Sequence, residues 1–177
     1  MNFLIAGGLV AVFVPIFLEA KREQPEQALL FARTITTVST LLMFAVGVIV
    51  AVFAHPLARL VAPGFTGTQT ELLASLMRVL AFSPVIFAAS NALGAMLVAE
   101  QRFFTFGLSP VLYNFGIIAG TIMLAPSFGI KGVAYGTLAG ALLHLIIRSV
   151  EVYKLRYPLR PGLYLRLPHL REFARRM

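Results

Sequence analysis

Residues 34–58 read TITTVSTLLMFAVGVIVAVFAHPLA, 25 consecutive positions without a charged side chain. A helix needs roughly 20 mainly apolar residues to cross the hydrocarbon layer of a bilayer, and this stretch supplies them. Four other stretches share the property: residues 2–18 (17 positions), 79–99 (21), 103–130 (28) and 132–147 (16). The last is short, but Lys131 and Arg148 flank it and their stems can snorkel toward water. No stretch alternates polar with apolar residues, and the runs are too long for barrel strands. The fold class read from this pattern is all-α: a polytopic transmembrane bundle of five spans, at about 2–18, 34–57, 72–98, 106–125 and 131–147.

The composition excludes the alternatives. Of 177 residues, 59% are hydrophobic and 12% charged, and the mean hydropathy is +0.86. Soluble domains carry about 25% charged residues, so half the usual charge would have to keep this surface in water. A soluble enzyme, a disordered chain and a collagen-like fibre are all excluded. The absence of Cys removes disulfides, thiolate metal sites and a cysteine nucleophile.

Charge placement gives an orientation. Of the 15 basic residues, Lys21, Arg22, Arg33, Arg102 and eight within 148–177 fall on one side of the spans. Arg59, Arg78 and Lys131 fall on the other. By the positive-inside rule the twelve are cytoplasmic, which puts the N-terminal end outside and the C-terminal end inside. Residues 1–147 are then the bundle, and 148–177 a basic cytoplasmic interfacial segment leading toward a further helix. That segment holds eight basic residues against Glu151 and Glu172, a composition suited to anionic phospholipid. Nucleic acid is not an expected partner, since topology already explains the charge. The ends, a span opening at Met1 without a basic flank and Phe173-Ala174-Arg175-Arg176-Met177 resembling another helix start, read as an internal piece of a longer polytopic protein.

Within the spans, Gly7, Gly8 and Ala11 make a small-residue face, and Pro15 is expected to kink the first span. Pro25-Glu26-Gln27 is expected to open a short interfacial helix, and Pro84 lies inside the third span. Ala62-Pro63-Gly64-Phe65 and Ala125-Pro126-Ser127-Phe128 are external turns. Gly132, Gly136 and Gly140, with Gly116 and Gly120, sit at four-residue spacing that permits close helix packing or sliding between helices.

Chemistry-bearing motifs are few: HExxH, GxSxG and the phosphate-binding GxxxxGK[ST] are all missing. The chain is therefore not read as an enzyme, and no cofactor is implied. His55, His144 and His169 are scattered, as suits interfacial or helix-end residues rather than metal ligands. Glu71 and Glu100 lie at loop edges and are expected to be solvated. An arginine within a span is costly enough to demand a purpose. Arg78 either snorkels outward or faces a wet cavity, and Arg102 is either a cavity residue or a topological anchor. Asn91, Asn114, Ser83 and Ser90 are expected to be buried polar groups, packing helices together or lining a path.

The string Gly7-Gly8-Leu9-Val10-Ala11-Val12-Phe13-Val14-Pro15 resembles the second helix of the bacterial lipid II flippases. These form the MurJ/MviN branch of the multidrug/oligosaccharidyl-lipid/polysaccharide exporter superfamily. Ala62-Pro63-Gly64-Phe65 is similar to that family's turn after helix three. Arg102-Phe103-Phe104 with Leu108-Ser109-Pro110-Val111-Leu112-Tyr113-Asn114 resembles its Arg-Phe passage, and 170–177 resembles the approach to helix seven. Ala6 and Asn2 depart from the family, which usually has Glu and Arg there. The resemblance implies helices two to six of one lobe of a two-lobe transporter in the inner membrane. It also implies a first helix and a second lobe as partners, alternating access, and a lipid-linked diphosphate substrate met by cavity arginines. Arg78, Arg102 and Asn114 become the candidate substrate-binding residues. Another exporter of the superfamily, or a non-transporting scaffold with a basic tail, are the competing readings.

Overall fold

The structure, a computed structural model, describes residues 2–158 and 160–176, and leaves out the side chains of 2–9, 171, 174 and 176. The described residues are helical without strands, as the apolar runs require. In chain order the helices are α1 (Asn2–Glu23), α2 (Pro25–Val52), α3 (Ala54–Val61), α4 (Gly67–Leu80), α5 (Ser83–Ala99), α6 (Phe103–Met123), α7 (Ala125–Phe128), α8 (Ile130–Lys154) and α9 (Pro168–Arg176). Among the described residues four stretches are long and apolar enough to cross a membrane: α2, the α4–α5 run Gly67–Ala99, α6 and α8. Leu41, Leu42, Phe44, Val48 and Ile49 stand exposed along α2, an arrangement that water would penalise and lipid does not. Of the small-residue face on α1, Gly7 and Gly8 lie outside the described side chains, as do Asn2 and Ala6, and Ala11 is exposed.

Several boundaries differ from the sequence reading, each for a local reason. Pro25 does start a helix, where its missing N–H costs nothing, but that helix is α2 itself and not a separate interfacial piece. The stretch read as the third span is two helices, because Pro84 offers no N–H to the Leu80 carbonyl and the chain turns at Ala81-Phe82. Gly47 on α2 approaches that break: a Cβ there would lie 2.8 Å from the Ala81 carbonyl oxygen. At the start of α4 the Thr66 backbone N–H donates to Gln69 Oε1 at 2.9 Å, satisfying one otherwise orphaned donor. α8 does not stop near Ile147 but continues to Lys154.

The chain divides into two compact units. One comprises residues 1–40, 88–109 and 145–177. Its core is Phe13, Ile16, Phe17, Phe31, Leu97 and Val152, all fully buried. Phe13 stacks on Phe17 and on Phe31 at centroid distances of 5.4 and 5.3 Å, and Phe173 of α9 meets Phe31 edge-on at 5.9 Å. The extended segment before α9 is tied to α2 by side-chain acceptors. The Tyr164 N–H donates to Thr34 Oγ1 and the Gly162 N–H to Thr37 Oγ1, each at 3.1 Å.

The other unit comprises residues 41–87 and 110–144. There α3 packs on α4 through Ala54, Ala58 and Ala74. α6 and α8 meet backbone to backbone. A Cβ on Gly136 would lie 2.6 Å from the Gly120 Cα and 2.9 Å from the Gly116 carbonyl oxygen, and one on Gly140 would strike the Tyr113 carbonyl. The small-residue spacing thus serves close packing between these two helices.

Candidate functional site

On α8 the buried positions are Gly132, Ala134, Gly136, Gly140, Ala141, His144, Arg148 and Val152. A step of four residues advances about 40° around a helix, so a row from Gly132 to Val152 winds round α8 instead of holding one face. Arg148 points inward, contrary to the snorkelling expected of a span-end flank. Only 3% of its surface is exposed. Its Nε–H donates to Ser109 Oγ on α6 at 3.0 Å, and Nη1 donates to the Ser90 carbonyl and to Asn91 Oδ1, both on α5, at 3.0 and 3.2 Å. Ser109 in turn donates to the Thr105 carbonyl at 2.7 Å, which turns its lone pairs toward the arginine. The guanidinium lies over the Phe106 ring, 4.8 Å from its centroid, a cation–π contact strengthened by loss of water. Gly94 makes the room, since a Cβ there would come within 2.5 Å of Nη1.

A second polar cluster lies beyond the spans. Glu100, in the α5–α6 turn, accepts from Lys21 Nζ at 2.5 Å and from the Tyr157 hydroxyl at 2.6 Å. With its side chain 15% exposed, Glu100 is not the solvated carboxylate expected from its loop position. Burial alone would raise its pKa, but the bonds from Lys21 and Tyr157 outweigh burial and hold it below the ordinary carboxylate value. The bond to Glu100 raises Lys21 above the usual lysine value, and burial with the same carboxylate raises Tyr157. Arg102 Nε lies 4.0 Å from Glu151 Oε1, whose other oxygen is 3.7 Å from Lys154 Nζ.

Of the three residues singled out from sequence, Arg78 and Asn114 belong to one compact unit and Arg102 to the other. Arg78 near the end of α4 is exposed, as is Asn114 on α6, and neither makes a hydrogen bond or ion pair with a described residue. Asn114 is therefore not the buried polar group expected, whereas Ser83 and Ser90 are buried and Asn91 is half-buried. Arg102 is exposed beside Glu151. The histidines do find partners. His55 Nδ1 is 3.1 Å from Glu71, His169 Nε2 is 3.8 Å from Glu23, and His144 is buried within α8 against Phe87 rather than at a helix end. Among the described residues no three ligating side chains gather to hold a metal.

The comparisons with known proteins match this helical chain almost end to end. The family profile described as lipid II flippase MurJ covers residues 2–177. The chain belongs to that family. Among its curated relatives, the probable lipid II flippase MurJ of Borreliella burgdorferi is 23% identical over 165 residues, 93% of this chain and 32% of the relative. That of Aquifex aeolicus is 26% identical over 152 residues, 84% of this chain and 30% of the relative. The chain thus spans about a third of the length of these relatives. With its four long apolar helical stretches, this membership makes it part of a multi-pass membrane protein of a transporter family. Arg148 was legible only as a charge ending an apolar run.

Proposed function

We propose that the protein moves lipid II, the lipid-linked peptidoglycan precursor, across the bacterial inner membrane by alternating access. The present helices would contribute to one of two lobes. The observation that carries the reading is the family match over residues 2–177. The physical requirement is plain: a diphosphate cannot cross apolar surface without compensating cations, and guanidinium groups pair phosphate bidentately while staying charged. Arg78, Arg102 and Asn114 are the proposed substrate contacts, and their exposure leaves each free to face a cavity completed by the first helix and second lobe. The C-terminal side is cytoplasmic in this reading, with 12 of the 15 basic residues. The segment 148–177 rests on anionic phospholipid beyond the end of α8, Arg148 itself being turned inward. Supporting that placement, Arg160 and Arg166 are exposed, and Leu30, Leu163, Tyr164, Leu165 and Leu167 line a groove of about 510 Å³ that suits an acyl chain.

Complementation tests the reading. The complete reading frame should restore growth to a strain depleted of its essential lipid II flippase, and failure at normal membrane levels removes this cargo. Arg78→Ala should weaken rescue more than Arg59→Ala, and Arg102→Ala more than Arg160→Ala, with Arg→Lys recovering part. If both Ala variants rescue like the parent, those arginines are topological anchors.

A further inference from the structure

Arg148 carries a positive charge, and among the described residues no carboxylate is paired with it. Every acceptor around it is neutral: a serine hydroxyl, a main-chain carbonyl and an asparagine amide. Glu151, one turn along α8, is committed to Lys154 and Arg102, and Glu100 to Lys21 and Tyr157. The second amino group of the guanidinium, Nη2, makes no hydrogen bond with a described residue. Burying an unbalanced charge is expensive, and neutral dipoles recover only part of that cost. Nε and Nη1 are anchored, Phe106 covers the face and Gly94 leaves the space, so the guanidinium plane and its free donor edge are fixed in direction. The residue lies six positions before the end of α8 at Lys154, about 9 Å along the axis.

We propose that Arg148 is a preformed anion seat whose free Nη2 edge takes a phosphate oxygen of a polyprenyl diphosphate. It is a substrate contact additional to Arg78, Arg102 and Asn114. The proposal rests on the cargo reading above, and it names the group recognised. Because Arg148 is almost closed off, the anion enters only when the α5–α6–α8 junction opens locally, which couples binding to movement of these helices.

The test uses the complete protein in nanodiscs of zwitterionic phospholipid. Geranylgeranyl diphosphate is the probe, with geranylgeraniol, inorganic pyrophosphate and phosphatidylglycerol as comparisons. The parent should bind the diphosphate and not the alcohol. Arg148→Gln should weaken that binding about tenfold or more, the worth of one charge-assisted contact, and Arg148→Lys should weaken it less. Gly94→Ala keeps the charge but fills the seat of Nη1, and should weaken binding as Arg148→Gln does. It and Arg148→Lys decide the matter if Arg148→Gln does not fold. Equal affinity in the parent and any folded variant of this set overturns the proposal. Phosphatidylglycerol binding with the same Arg148 dependence, at no disadvantage to the diphosphate, overturns the choice of ligand in favour of a membrane phospholipid. Pyrophosphate binding as tightly as the prenyl form excludes a lipid ligand. If complementation fails while Arg148-dependent diphosphate binding persists, the cargo reading falls and the seat stands.

Discussion

The two units solve the same packing problem with opposite materials. Residues 1–40, 88–109 and 145–177 are held by large side chains and by polar ties: stacked Phe13, Phe17 and Phe31, the Arg148 fan, and the Lys21–Glu100–Tyr157 cluster. Residues 41–87 and 110–144 are held largely by the absence of side chains, with glycines of α6 and α8 in backbone contact and alanines between α3 and α4. Lipid tails are as apolar as Leu, so burial by itself drives little association in a membrane, and close contact or polar bonding must take over. The glycine-built unit takes the first route and the aromatic unit takes both. Each route fails in its own way when one residue changes.

The largest expected effect is Gly136→Leu. The added Cβ meets the Gly120 Cα at 2.6 Å and the Gly116 carbonyl at 2.9 Å, and backbone cannot step aside as a flexible side chain would. A loss of about 3 kcal/mol is expected, at the upper end of overpacking, whereas Val133→Leu on the same helix should cost well under half of that. Melting of the complete protein in detergent reads the difference. Equal melting temperatures would dissolve the distinction between the units.

Phe13→Ala comes next. In water, truncating a buried Phe costs about 3–5 kcal/mol, of which part is transfer from water and part is the cavity left behind. In lipid the transfer part is small, leaving a cavity of roughly 100 Å³ and a loss on the order of 2 kcal/mol. A measured loss matching the aqueous range would show that the Phe13–Phe17–Phe31 stack is water-facing in the unfolded reference.

The charged cluster should contribute less, because Lys21 is 39% exposed and its pair is screened. Glu100→Gln is expected to cost about 1 kcal/mol at neutral pH. The pH dependence has a definite sign. The lowered Glu100 pKa contributes stability that is present above the ordinary carboxylate value and lost as pH falls through the lowered one. The raised Lys21 pKa contributes stability that is full below the ordinary lysine value and lost as pH rises through the raised one. Melting temperature should therefore fall at both extremes in the parent, and Glu100→Gln should flatten both flanks. A variant that keeps the parent's acid flank would show that other carboxylates set it.

Most of the architecture was legible in the gaps between charges, because a bilayer demands long uncharged runs whatever packs against them. The glycine contact was legible too, since four-residue spacing lines one face. Arg148 was not, because an arginine after an apolar run looks the same whether it turns outward or inward. Only the acceptors at Ser90, Asn91 and Ser109, brought from two other helices, decide the direction. Glu100 was misread for the same reason: its partners stand 79 and 57 positions away. Pro84 was visible as a residue, but whether it kinks or ends a helix depends on the neighbouring backbone, here Gly47 against Ala81.

The smallest effect concerns helix ends, where the units again differ. In the aromatic unit α5 ends with the Arg102 N–H bonded to the Leu97 carbonyl at 2.8 Å, which puts Gln101 in the left-handed region at φ 58°. Arg156 does the same after α8, at φ 61°. In the glycine-built unit the corresponding positive φ, 59°, falls on Gly129, where no Cβ suffers. A side chain in that region costs about 1–2 kcal/mol, while glycine in the unfolded chain loses up to about 1 kcal/mol of that advantage through entropy. Gln101→Gly should therefore stabilise the protein by roughly 0.5 kcal/mol. Gly129→Ala should destabilise it by 1 kcal/mol or more, since its ψ of −142° is open almost only to glycine, a cost of about 1–3 kcal/mol. Both are read by melting of the complete protein. If Gln101→Gly destabilises instead, the Gln101 side chain makes a contact in the complete protein that outweighs its backbone strain, and the α5–α6 turn is an interface rather than a free end.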